Sequence, residues 1–204
     1  MRFPPLYAIV DPLDTARDPV ALAQMLLAGG ARLLQLRLKQ ASSGELLAVA
    51  KAVQPLAQAH GARFLVNDRP DVARAVGADG VHLGQDDLPV AAARRVLGPG
   101  PLVGISTHDL GEARVAAAAG ADYVAIGPIY ATTSKEKALA PRGLELVRVV
   151  RAALPATTLV AIGGITAETA PAVRAAGADA VAVIGALTRA PDVAAAVREL
   201  LARL

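Results

Sequence analysis

The chain has 204 residues, of which 54% are hydrophobic and only 2% aromatic, with a formal charge of +3. This length predicts a single domain over 1–204, with a core built from Ala, Val, Leu and Ile. The absence of cysteine excludes disulfides, thiolate metal sites and cysteine nucleophiles, and the scattered arginines with so few aromatics argue against nucleic acid as a partner.

Chain order begins with Met1-Arg2-Phe3-Pro4-Pro5, which does not read as a signal peptide. Apolar runs are short and broken by Gly, Asp or Arg, so no membrane span is expected and the expected location is the cytoplasm. Near-continuous apolar runs then predict strands at 6–11, 33–38, 63–67, 80–83, 102–105, 123–129, 158–162 and 180–184. Ala-rich amphipathic stretches between them predict helices at 18–29, 43–60, 70–76, 89–97, 110–119, 143–153, 167–176 and 190–203. Helix-start signals recur: Asp18 before Pro19, Ser43 before Glu45, and Thr166 before Glu168. A Gly-Ala-Asp or Gly-Ala-Arg step also recurs, as at Gly77-Ala78-Asp79, Gly120-Ala121-Asp122 and Gly177-Ala178-Asp179, and places a Gly stop between each helix and the next strand. Eight alternations without an extra domain predict an α/β fold, a single (β/α)8 barrel. An open doubly wound sheet is the alternative, but the first strand leads to Asp11-Pro12-Leu13, without a Gly-rich turn.

In such a barrel, chemistry belongs to the loops after the strands. Strand two runs into Gln35-Leu36-Arg37-Leu38-Lys39, and alternation puts Gln35, Arg37 and Lys39 on one side, facing the interior or the mouth. Strand three ends in Asn67-Asp68 and strand four in Gly84-Gln85-Asp86-Asp87. Either Asp68 or Asp87 alone would serve as a helix cap. Together, on neighbouring strands about 4.8 Å apart, they can share one cation, and Mg²⁺ takes one or two carboxylates plus waters and phosphate oxygens. Strand five ends in Ser106-Thr107-His108, and strand six opens into Thr132-Thr133-Ser134-Lys135-Glu136-Lys137. Strands seven and eight end in Gly163-Gly164 and Ile184-Gly185, where barrels often hold phosphate on backbone N–H groups. Three of the four lysines, Lys39, Lys135 and Lys137, fall in these loops. A lone strand histidine such as His82 is more often a hydrogen-bonded core residue than a catalyst, and the same bland reading holds for His108.

These motifs, in this order along nearly the whole chain, resemble those of the thiamine-phosphate synthase (thiamine-phosphate pyrophosphorylase) family. The resemblance implies an enzyme that joins 4-amino-2-methyl-5-hydroxymethylpyrimidine diphosphate to a thiazole phosphate and releases pyrophosphate. It implies that Gln35, Arg37 and Lys39 bind the pyrimidine diphosphate, that Asn67 touches the pyrimidine, and that Asp68 and Asp87 hold Mg²⁺. It also implies that Ser106 and Lys135 meet the pyrophosphate, and that Thr132, Thr133, Ser134, Gly164, Ile184 and Gly185 hold the thiazole phosphate. Arg37, Lys39, Ser106 and Lys135 would be the catalytic groups. Ala131, Ser134 and Gly185 depart from the family's usual Pro, Thr and Ser; Gly185 keeps a backbone donor but no hydroxyl. The related thiazole tautomerases resemble the chain less, because their catalytic His position is Pro128 here. A non-catalytic thiamine-phosphate sensor would not need Asp68, Asp87 and Lys135 together. The implied partners are small phosphorylated molecules, with neither nucleic acid nor membrane; a homo-oligomer is compatible with the sequence.

Overall fold

The computed structural model describes residues 3–12, 15–132 and 140–204. Its eight strands are β1 (Leu6–Val10), β2 (Leu33–Leu36), β3 (Arg63–Asn67), β4 (Gly80–Leu83), β5 (Leu102–Thr107), β6 (Tyr123–Ile126), β7 (Thr158–Ile162) and β8 (Ala180–Val183). All neighbours are parallel, and β8 pairs with β1, so the sheet closes into a barrel in chain order. Helices α1 (Pro19–Ala28), α2 (Ser43–Ala59), α3 (Pro70–Val76), α4 (Val90–Leu97), α5 (Leu110–Ala118), α6 (Gly143–Ala153), α7 (Ala170–Ala175), α8 (Gly185–Thr188) and α9 (Val193–Ala202) make up the helices among the described residues. This is the expected (β/α)8 barrel.

Alternation along the strands separates two cores. Leu6, Ala8 and Val10 of β1 join the large layer between barrel and helices, while Tyr7 and Ile9 point inward. The inner core is small: Leu33, Leu65, Tyr123, Ala125, Val160, Ala180 and Ala182 complete its buried set. It is filled mainly by aliphatic side chains and two tyrosines, so the barrel is packed and not a pore.

Local signals explain most boundaries. Asp18 caps α1 by accepting from Ala21 N at 2.8 Å, with Pro19 at the first turn. Helix α2 is capped by Ser42, one residue before the expected Ser43, in a reciprocal capping box with Glu45. Strand six stops at Ile126, short of the expected 129, because Pro128 has no N–H to extend a ladder. The chain resumes pairing at Ile129, whose N–H donates to Ile162 O at 2.9 Å. The short α8 starts where the last strand was expected to end.

The Gly-Ala-Asp steps build the floor of the barrel. Asp79, Asp122 and Asp179 each precede a strand and accept from a backbone N–H of an earlier strand: Phe64 at 2.8 Å, Val103 at 2.6 Å and Leu159 at 2.8 Å. Each also donates its own N–H back to that residue's carbonyl, at 2.7–2.8 Å. The aspartates thus continue the ladder one residue beyond the strands and fix its register.

Candidate active site

At the opposite rim, the Gln35-x-Arg37-x-Lys39 stretch climbs from inside the barrel to its mouth. Gln35 is buried, and its Nε2 donates to Tyr7 Oη at 2.7 Å. Strand pairing continues past β2 through Arg37 N to Val10 O at 3.0 Å. The Arg37 guanidinium pairs with Asp11 at the end of β1, while Lys39 reaches across to Asp68 at the end of β3. The three side chains therefore fan over β1 to β3, as alternation predicts.

Asp68 is the only described non-glycine residue with positive φ (61°). Asp tolerates this left-handed conformation, yet it is sparsely populated and strained conformations gather at functional sites. Neither Asp68 nor Asp87 takes up the helix-capping role: α3 begins after Arg69 and α4 after Pro89, both without a side-chain cap. Asp87 instead folds back, accepting from Gly84 N at 2.7 Å. Burial and the neighbouring Asp68 carboxylate raise its pKa above the usual carboxylate value, against the lowering pull of Gly84 N–H and Lys39. The two carboxylates expected to meet do meet. Among the described residues no group of three His, Cys, Asp or Glu converges that could hold a metal ion. Two adjacent carboxylates at an open rim fit a hard divalent ion that completes its shell with water and phosphate oxygens, which is the habit of Mg²⁺.

Asn67 shares the inward face of β3 with Leu65 and lies in register with His82 of β4. Ser106 of β5 accepts or donates at His82 Nε2, 2.8 Å away. It also lines a cavity of about 490 Å³ over β5 to β8, together with Thr132, Gly164, Ile184 and Gly185. Gly164 (φ 62°) must be glycine here: a Cβ would stand 2.3 Å from Ala131 O. That contact seats the β7 loop directly against the β6 loop.

The expected residues thus fall into two groups. Charged groups occupy the rim over β1 to β4, and a cavity rich in glycine and small residues occupies β5 to β8, with Ser106 between them. Thr133, Ser134 and Lys135 lie outside the described residues. Three features escaped the sequence reading. Asp11 anchors Arg37. Arg189 lines the cavity beside His108, the histidine read from the sequence at the end of strand five, which is hydrogen-bonded to Glu112 at 2.9 Å. Tyr7 and Tyr123 are buried in the barrel centre and joined at 2.9 Å. With only three tyrosines in the chain, two placed inside strands were the available signal.

Comparison with known proteins agrees along the chain. The profile of the family described as "Thiamine monophosphate synthase" matches residues 6–187. A thiamine-phosphate synthase of Moorella thermoacetica is 47% identical over 96% of this chain and 93% of its own. One of Anaeromyxobacter dehalogenans is 50% identical over 94% of this chain and 83% of its own. The solved thiamine phosphate pyrophosphorylase of Pyrococcus furiosus superposes with a TM-score of 0.87 at 37% identity, covering 97% of this chain and 94% of that one. Among the described residues no helix is long and apolar enough to cross a membrane.

Proposed function

Because this chain belongs to the thiamine monophosphate synthase family, an enzyme family of thiamine biosynthesis, we propose that it transfers the pyrimidinylmethyl group of 4-amino-2-methyl-5-hydroxymethylpyrimidine diphosphate to the nitrogen of a thiazole phosphate. Thiamine phosphate forms and pyrophosphate leaves. The observation that carries this reading is the meeting of Asp68, Asp87 and Lys39 at a rim that adjoins the β5 to β8 cavity.

The chemistry asks little acid–base work of the protein. The ring amino group pushes electron density toward the departing CH₂, so C–O cleavage runs ahead of C–N formation. What remains is to hold two anionic substrates in line and to stabilise charge growing on the leaving group. Arg37, paired with Asp11, would bind a phosphate, for which its guanidinium can donate bidentately. Lys39 carries a compact charge that can move from Asp68 to the pyrophosphate. Asn67 and Gln35 would hold the pyrimidine from the inward faces of β3 and β2, and Ser106 would donate to the pyrophosphate. Lys135 would add a further positive charge from the loop after β6. In the cavity, the backbone N–H groups of Gly164 and Gly185 would hold the thiazole phosphate, with Ile184 beside it and Thr132, Thr133 and Ser134 supplying hydroxyls. Asp68 and Asp87 would hold Mg²⁺, which when bound supplies Lewis-acid neutralisation of the pyrophosphate.

Purified protein incubated with both substrates and Mg²⁺ should yield equimolar thiamine phosphate and pyrophosphate. Isomerisation of the thiazole without coupling, or no turnover of the pair, would overturn the proposal.

A further inference from the structure

A continuous chain of hydrogen bonds crosses the barrel interior beneath the site. Gln35 Nε2 donates to Tyr7 Oη at 2.7 Å, Tyr7 Oη lies 2.9 Å from Tyr123 Oη, Tyr123 Oη lies 2.8 Å from His82 Nδ1, and His82 Nε2 lies 2.8 Å from Ser106 Oγ. Gln35, Tyr7, Tyr123 and His82 are all buried. The sequence makes room for this arrangement at one residue. Gly104 of β5 sits in register between His82 of β4 and Tyr123 of β6, and a Cβ there would fall 1.9 Å from the Tyr123 ring. Across that gap the imidazole and the phenol stack, with centroids 5.6 Å apart and planes 17° from parallel.

Proton counting gives the chain a direction. An amide nitrogen only donates, so Tyr7 Oη accepts from Gln35. Tyr7 Oη has two hydrogen-bond partners, Gln35 Nε2 and Tyr123 Oη. The amide nitrogen cannot accept, so the buried phenol proton is satisfied only by donating to Tyr123, and Tyr123, already accepting, in turn gives its proton to His82 Nδ1. A ring nitrogen that accepts carries no proton, and the neutral imidazole must then bear its proton on Nε2. Nε2–H donates to Ser106 Oγ, which leaves the serine proton to point away from His82, toward the cavity that Ser106 lines. Burial raises the pKa of both tyrosines, so each keeps the proton this order needs. A ring protonated on both nitrogens would donate to Tyr123 and reverse the His82–Tyr123 and Tyr123–Tyr7 links, leaving the Tyr7 proton facing the Gln35 amide donor.

We propose that Gln35, Tyr7, Tyr123 and His82 form a positioning relay that fixes His82 as the Nε2–H tautomer and thereby presents the Ser106 hydroxyl as a donor to an anionic phosphate group. The tautomer stands on the geometry alone; the identity of the anion as leaving pyrophosphate rests on the proposed function.

The test has two arms. Long-range ¹H–¹⁵N correlation spectra of the ¹⁵N-labelled wild-type protein, with the His82 ring assigned by its loss in His82→Gln, should show Nε2 protonated and Nδ1 bare at neutral pH. The opposite tautomer, or protons on both nitrogens, would overturn the relay. The second arm compares His82→Gln, whose amide nitrogen can stand near the Nε2 position and still donate to Ser106, with His82→Asn, whose shorter side chain cannot reach it. Asn should lower kcat by about 10- to 100-fold, the worth of one hydrogen bond to a charged group, with KM for the thiazole phosphate unchanged, while Gln should restore most of that loss. Equal losses in both variants would mean that His82 only fills space and would overturn the positioning role. An inactive wild-type protein with the expected tautomer would instead overturn the proposed reaction and leave the proton order standing.

Discussion

The two rims of the barrel use the same residue type to opposite ends. At the floor, Asp79, Asp122 and Asp179 have their carboxylates satisfied by backbone N–H groups, and Asp122 and Asp179 also pair with Arg94 and Arg151. At the mouth, Asp68 sits at positive φ, and burial together with the adjoining Asp68 carboxylate raises the pKa of Asp87. At the floor, every one of these three carboxylates has a backbone N–H donor of its own. The mouth sets two carboxylates side by side, with Lys39 on Asp68 offsetting part of their repulsion, and a bound cation would offset the rest. This division matches the general rule that a barrel's stability lies at one face and its chemistry at the other.

The largest expected effect breaks the mouth. Asp68→Ala or Asp87→Ala should lower Mg²⁺-dependent kcat by ~10²–10³, the usual loss for one charge-stabilising contact, while the melting temperature changes little. Steady-state kinetics with thermal melts measures both. A drop in melting temperature matching the activity loss would assign these residues to the fold instead.

Lys135 tests the same rim through charge. Lys135→Ala should reduce the single-turnover rate by about tenfold or more, the worth of a hydrogen bond to a charged group, with smaller change in substrate affinity. Lys137→Ala should be nearly neutral. Equal losses in the two variants would point to a general field of the loop.

The floor gives the converse result. Asp179→Ala leaves the N–H of the buried Leu159 without its carboxylate partner, and should cost about 1–3 kcal/mol of stability. Turnover per folded molecule should stay near wild type. Urea unfolding with activity normalised to folded protein makes the comparison. Loss of kcat in this variant would blur the division between the rims.

How far each rim was legible follows from the range of its interactions. The strands were readable because a strand buried on both faces is a near-continuous apolar run. The Gly-Ala-Asp repeat was visible as a punctuation mark, but that its Asp reaches back to an earlier strand depends on parallel pairing that no local pattern contains. At the mouth, Asp68 and Asp87 were legible as neighbours because consecutive strands pair in chain order. Asp11 beneath Arg37 was not, although it too ends a strand, since no charge pattern in its own segment marks it. The tyrosine and histidine chain was legible only as separate buried residues; its links join β1, β2, β4, β5 and β6, and closure alone brings those together.

A smaller effect sharpens the contrast. Asp87→Asn keeps an acceptor for Gly84 N but removes the repulsion with Asp68. Without metal, its melting temperature should lie slightly above that of the wild type, by about 1 °C or more for a gain of a few tenths of a kcal/mol. Addition of Mg²⁺ should reverse the order. A lower metal-free melting temperature would mean that the two carboxylates do not strain the fold.

The central claim, that the carboxylate pair at the mouth is where the metal serves the reaction, is tested most directly by a Mg²⁺ titration of thiamine phosphate formation in the wild type, Asp87→Asn and Asp179→Ala. Asp87→Asn should need far more Mg²⁺ to reach half-maximal rate, while Asp179→Ala should follow the wild-type curve. Coincident curves for the wild type and Asp87→Asn would contradict the claim.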